Sequence, residues 1–190
     1  MNDFTADLRT IFLSKDLEIG QRQLREVLAG LFISLNLSPP KSVVWISSPW
    51  ISDFLVVDDP SLPYKQVSSG WGKPKIYFSD ALASIVNVGG TKINIVLRAG
   101  TDTYSFSNHR FLERLKQKIN EPDLVRYAEY DDVHIKGLVT DNLRITGSMN
   151  FTFSGTSIND EWVQVDSIPS QISEMRLTME SQYAEKLVSL

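Results

Sequence analysis

Between Gln21 and Leu35 the apolar residues fall at Leu24, Val27, Leu28, Leu31, Phe32 and Leu35, the one-sided stripe of an amphipathic helix. Pro39 and Pro40 end it. Its polar side is not especially basic, so the stripe is read as packing on the core, with a membrane-surface role as the alternative. The pattern then shortens. Lys41 to Ser47 is a compact run rich in Val, Ile and Trp, which predicts a buried strand, and Lys92–Arg98, Val125–Tyr130 and Glu161–Asp166 predict three more. Ser79 to Val88 reads as a helix with Ser79 as N-cap and Gly89-Gly90 beyond its end. A further helix over 109–119 turns Phe111, Leu112 and Leu115 inward and leaves Glu113, Arg114, Lys116 and Lys118 on a solvated face. A last helix, capped by Ser170 behind Pro169, carries Ile172, Met175, Met179 and Tyr183 on one stripe, its methionines filling a core or a dimer interface. Strands and helices interleave throughout, which predicts an α/β fold: a mixed β-sheet flanked by helices on both faces.

Asp58 to Lys75 breaks this regularity with three prolines and two glycines, and reads as a long irregular loop. Trp71 is expected to tuck onto the core. The alternative is a track for a nucleic-acid strand, with Lys65, Lys73 and Lys75 along it and the indole as a stacking surface. The stretch GTDTYSFSN ending at Asn108 reads as a polar connection.

With 190 residues and 42% hydrophobic content, one domain is expected, residues 1–38 forming an N-terminal helical segment and 41–190 the core. A net charge of −4 argues against a protein that coats nucleic acid through bulk electrostatics. Residues 92–150 nevertheless hold nine Lys or Arg against eight Asp or Glu, so any nucleic-acid contact is expected to be local and salt-sensitive. The absence of cysteine excludes disulfides and thiolate metal sites, and two histidines, His109 and His134, are too few for a histidine-rich metal cluster. No metal and no cofactor are expected. Acidic Asp3 and Asp7 stand where a signal peptide would be basic, and no apolar run reaches the ~20 residues of a membrane span. A cytoplasmic location is expected.

The candidate chemistry lies in HIKGLVTDNLRITGSMN, residues 134–150. Read as strand, Asp141-Asn142 turn and returning strand, it sets His134 and Lys136 on one strand face, ~7 Å apart at the backbone. Gly147, Ser148 and Asn150 follow the return. A phosphate requires positive charge, neutral donors and a basic nitrogen together, and this hairpin supplies all three.

These residues resemble the motif of the phospholipase D superfamily, HxKxxxxD followed by GSxN: His134, Lys136, Asp141, Gly147, Ser148 and Asn150. Five residues separate Asp141 from Gly147, one fewer than the usual interval of the family. VVWISSPWISD, KINIVLRAG, NHRFLERLKQ and NDEWVQV resemble the surrounding family elements, and Glu161 matches an acidic position of the last one.

The resemblance implies a metal-independent phosphodiesterase with a phospholipase D-like fold. His134 would attack phosphorus, Lys136, Ser148 and Asn150 would hold the phosphoryl oxygens, Glu161 would orient the His134 ring, and Asp141 would be structural. His109 and Asn108 stand at the end of a loop that resembles family loops beside the active-site mouth and are candidates to contact substrate phosphate, the alternative being a simply exposed loop histidine. The family builds one site from two motifs and this chain has one, so a homodimer is implied. Compact one-motif members imply a DNA endonuclease of restriction or phage-defence systems, with other components of such a system as possible partners. The alternatives are a nucleic-acid-binding or scaffolding subunit and, third, a lipid phosphodiesterase.

Overall fold

The computed structural model describes residues 8–37, 42–58, 71, 73, 75–100 and 103–190. Lys65 and most of the loop around it, Lys41, and the two prolines expected to end the first helix lie outside the described residues. An eight-stranded sheet runs in the order β1-β9-β8-β7-β2-β5-β6-β10. Its centre is β2 (Val43–Ser48), parallel to β5 (Lys92–Arg98), which is parallel to β6 (Val125–Tyr130). On the other side β7 (Gly137–Val139), β8 (Arg144–Gly147) and β9 (Glu161–Asp166) alternate in direction, and β1 (Leu8–Leu13) closes that edge against β9. The two-residue β10 (Val188–Ser189) pairs with β6, and β3 (Leu55–Asp58) pairs with β4 (Lys75–Tyr77) in a separate two-stranded sheet.

Strand alternation explains the layers. Val44 and Ile46 of β2, with Ile93, Ile95 and Leu97 of β5, enter one core, while Trp45 and Val96 enter a second on the opposite face. Burial on both faces is why these strands read as continuous apolar runs. The larger core receives α1 (Glu18–Leu37), α2 (Phe78–Asn87) and α3 (Thr103–Lys116); the smaller is closed by α5 (Pro169–Tyr183) through Ile172, Met179 and Tyr183. Helices therefore flank both faces, as expected. Burial, and next the neighbouring Tyr130, push the Tyr183 phenol above its ordinary pKa.

Phe78 is fully buried at the centre of the larger core, with the rings of Phe54, Phe151, Phe111 and Phe32 at 4.7, 5.7, 5.8 and 6.0 Å. Trp71 is also buried there, so the packing expectation holds and its indole is no stacking platform. Cross-strand partners Arg144 and Asp166 form an ion pair, with Nε and Nη2 donating to Oδ2 at 3.0 and 2.8 Å.

Three expectations need correction. β1 was not anticipated: Leu8 and Phe12 of LRTIFL lie exposed opposite the buried Ile11 and Leu13, so apolar residues occupy both faces and blur the alternation. Ser79 is not the cap of α2, which starts at Phe78 with Tyr77 as N-cap; Ser79 N and Oγ instead donate to Asp53, each at 2.8 Å. The polar face of α3 is not simply solvated, since Arg114 pairs with Asp53 and Lys118, just beyond the helix, donates to Asp80 and Ser79, all within 2.8 Å.

Candidate active site

β2, β5, β6 and β8 end at the same edge of the sheet from which β7 and β9 begin, a consequence of their pairing directions. Loops leaving these strand ends converge there, the usual place for ligand chemistry in sheets of this kind. Almost every candidate residue belongs to this edge.

The hairpin forms as expected, with Asp141-Asn142 at its turn. Thr140 N donates to Leu143 O at 2.9 Å, and Thr140 Oγ1 accepts from Asn142 N and Leu143 N at 3.2 and 3.0 Å. Its first strand starts later than the sequence suggests. Pro49 follows β2 directly, and a proline cannot donate to a ladder, so pairing of β2 with β7 stops at Ser47 and Gly137. Residues 133–136 are irregular instead, held where Ser47 Oγ donates to Ile135 O at 3.0 Å. His134 and Lys136 thus precede the strand rather than share its face. His134 is exposed and its ring makes no hydrogen bond among the described residues. Lys136 Nζ donates to the His134 carbonyl at 3.2 Å, keeping the ammonium beside the imidazole's backbone.

Across the ladder, Gly147 gives close approach to β9: a Cβ there would collide with the Trp162 carbonyl. Ser148 then fastens the two strands. Its N donates to Trp162 O and its Oγ accepts from Trp162 N, both at 3.1 Å, while the hydroxyl donates to Glu161 Oε2. Asn159 Nδ2 donates to the other Glu161 oxygen at 3.4 Å. Glu161 is therefore engaged with Ser148, and no hydrogen bond joins it to His134. Asn150 differs: its Oδ1 is buried without a hydrogen-bond partner. Such an orphan acceptor costs about 1–3 kcal/mol. Its loop is held where Phe151 N donates to Ser48 Oγ at 3.1 Å and Phe151 bridges Ile51.

The remaining candidates separate. Asp141 sits at the opposite edge, paired with Arg176 of α5. Asn108 is fully buried and clamps the loops after β2 and β5: Oδ1 accepts from Ile51 N at 2.8 Å, and Nδ2 donates to Pro49 O and Arg98 O at 3.0 and 3.4 Å. A side chain without exposed surface cannot touch a phosphate, so Asn108 positions the edge instead. His109 is half-exposed, its Nε2 3.2 Å from Glu129 Oε1 at the end of β6. Sequence reasoning missed Glu129, Asp53 and Ser48; an acidic residue one place before the end of a predicted strand was the available signal for the first. Among the described residues no group of three or more His, Cys, Asp or Glu side chains converges.

No family model and no curated protein matches the chain. Solved structures do. A phospholipase D family member, Nuc from Salmonella typhimurium, is similar with a TM-score of 0.60 at 13% identity, covering 97% of this chain and 98% of that one. NucT from Helicobacter pylori gives 0.56 at 14% identity over 97% of this chain and all of its own (100%). Phosphatidylserine synthase of Haemophilus influenzae Rd KW20 gives 0.55 at 14% identity, matching 98% of this chain but 40% of its own. With the hairpin and its exit loop placed at the strand-end edge, these likenesses establish that the chain has the fold of the phospholipase D superfamily.

Proposed function

We propose that the chain is a metal-independent phosphodiesterase, a homodimeric DNA endonuclease working through a phosphohistidine in restriction or phage defence. The observation that carries the reading is the pair of groups left without partners at the motif edge: the exposed His134 imidazole and the buried Asn150 carboxamide oxygen, with Lys136 between them in the motif. The nucleophile and the amide oxygen meet no partner among the described residues, and with the Lys136 cation beside the first they match the needs of a phosphodiester.

In the reaction, an imidazole nitrogen of His134 bonds to phosphorus as the bond to the leaving oxygen breaks. That oxygen takes a proton from the partner's His134. Water then attacks phosphorus, the partner's His134 accepts the water proton, and the phosphorus–nitrogen bond breaks, releasing a phosphomonoester. Lys136 and Asn150 offset the charge that grows on the non-bridging oxygens. Ser148 and Glu161, bonded to each other, hold the ends of β8 and β9 and so fix the loop that carries Asn150. One chain supplies one such histidine, which is why a second copy across a two-fold axis completes the site.

A nucleic-acid-binding subunit without cleavage is the second reading, favoured by the lack, among the described residues, of a carboxylate bonded to the His134 ring. Cleavage separates the two. Pure protein incubated with single- and double-stranded DNA, RNA and phospholipid in EDTA is expected to cut DNA and to have a dimer's mass by light scattering. Dependence on added Mg²⁺ or a strictly monomeric active species contradicts the proposal.

A further inference from the structure

Beside the motif edge lies an open polar depression of about 260 Å³, lined by Ser52, Asp53, Ser107, Arg110, Phe111 and Arg114. It is joined to the loop that carries Asn150, since Ser52 N donates to Phe151 O at 3.0 Å and Phe153 N donates to Ser52 Oγ at 3.1 Å. Three charges set its electrostatics. The Asp53 carboxylate is only 9% exposed and accepts from Ser79 N, Ser79 Oγ and Arg114 Nη1, each at 2.8 Å, so both its oxygens are occupied. Arg110 is exposed and makes no hydrogen bond or ion pair among the described residues. Two guanidinium groups against one carboxylate leave the depression net positive in a chain whose overall charge is −4.

Helical spacing arranges the rest. Phe106, Arg110 and Arg114 follow one another at intervals of four on α3, which places them along a single ridge. Phe106 is 68% exposed, and Phe153, which opens α4 (Phe153–Ser157) and whose N donates to Ser52 Oγ of the lining, is 54% exposed. Rings left in water beside an uncompensated cation have the composition of a groove for single-stranded nucleic acid, in which aromatics stack bases and guanidinium groups take phosphates. A duplex keeps its bases stacked inside and offers such rings nothing. A lipid surface calls for a contiguous apolar patch, whereas here one exposed ring is followed along the ridge by two guanidinium groups. The volume lies below the ~300 Å³ at which small-molecule pockets begin, and the open shape suits one unit of a longer ligand.

We propose that this depression is a phosphate subsite and that Phe106 and Phe153 flank it as stacking platforms, so that a single-stranded polynucleotide runs from the motif edge along α3. The inference rests on the phosphodiesterase reading and adds the form of substrate that the site receives.

The test is fluorescence anisotropy with a short labelled single-stranded DNA in EDTA, using His134→Ala protein so that nothing is cut. Adding Arg110→Ala is expected to weaken binding about tenfold and to flatten the slope of log affinity against log salt by about 0.7, one phosphate's worth. Arg110→Lys is expected to restore most of that slope. Phe106→Ala is expected to weaken binding about fivefold or more with the slope unchanged, and to affect duplex DNA less. Unaltered affinity and slope in Arg110→Ala overturn the subsite, as does loss of binding to phosphatidylglycerol and phosphatidylcholine vesicles with oligonucleotide affinity intact. Turnover of bis(p-nitrophenyl) phosphate by wild type against His134→Ala tests the catalytic reading separately. Failure there sinks the chemistry, while the Arg110 effect on binding still decides the subsite.

Discussion

His134→Ala is expected to reduce phosphodiester turnover by at least ~10⁴-fold while leaving fold and assembly unchanged. The size follows from the double duty of this residue. In a site built from two copies, one substitution removes the nucleophile from one subunit and the proton donor from the other, and loss of either alone costs orders of magnitude. Stability is expected to change by less than ~0.5 kcal/mol, because the side chain is exposed and its ring bonds to nothing among the described residues. Lys136 Nζ reaches the His134 carbonyl, which alanine retains. Steady-state rates beside thermal melts check this. Retained turnover in a clean variant contradicts the chemistry, whereas a large drop in melting temperature would make His134 a structural residue.

The second large effect belongs to the core. Phe78→Ala is expected to destabilise the protein by about 4 kcal/mol, since the ring is fully buried among four others and its removal leaves a cavity at the centre of the core. For a chain of this length that is a fall of ~8–16 °C in melting temperature. The consequence extends to the site. Phe151 stacks on Phe78 at 5.7 Å and directly follows Asn150, so the void opens beneath the loop that positions the carboxamide. Activity below the melting temperature is therefore expected to fall as well, and circular dichroism with parallel rate measurements checks both. A shift of only a few degrees would show that this cluster does not carry the core.

The sequence disclosed most of the sheet because its central strands are buried on both faces, and such runs stand out from their polar surroundings. The α5 stripe was equally legible, since Ile172, Met179 and Tyr183 all face the smaller core. Failures occurred where tertiary contacts override local preference. α3 begins at Thr103 rather than 109, because a stretch rich in Ser, Thr and aromatics has weak helix propensity and becomes helical once Ser105 and Asn108 are buried. At the site, residue types were legible but partnerships were not. Nothing in the spacing of Ser148 and Glu161 says that they bond to each other, because strand pairing between β8 and β9 brings them together. Asn108 illustrates the same limit: its clamp joins it to residues 57 and 59 positions earlier, and only the fold reveals that its amide is enclosed.

The central claim is a covalent bond between His134 and phosphorus, and trapping it is the most direct test. Wild-type protein is incubated in EDTA with internally ³²P-labelled DNA, quenched in alkaline denaturant and digested to peptides. Acid-labile label on the peptide containing His134, missing from His134→Ala, is the result expected. Accumulation of cleaved DNA with no label on that peptide at any quench time contradicts it.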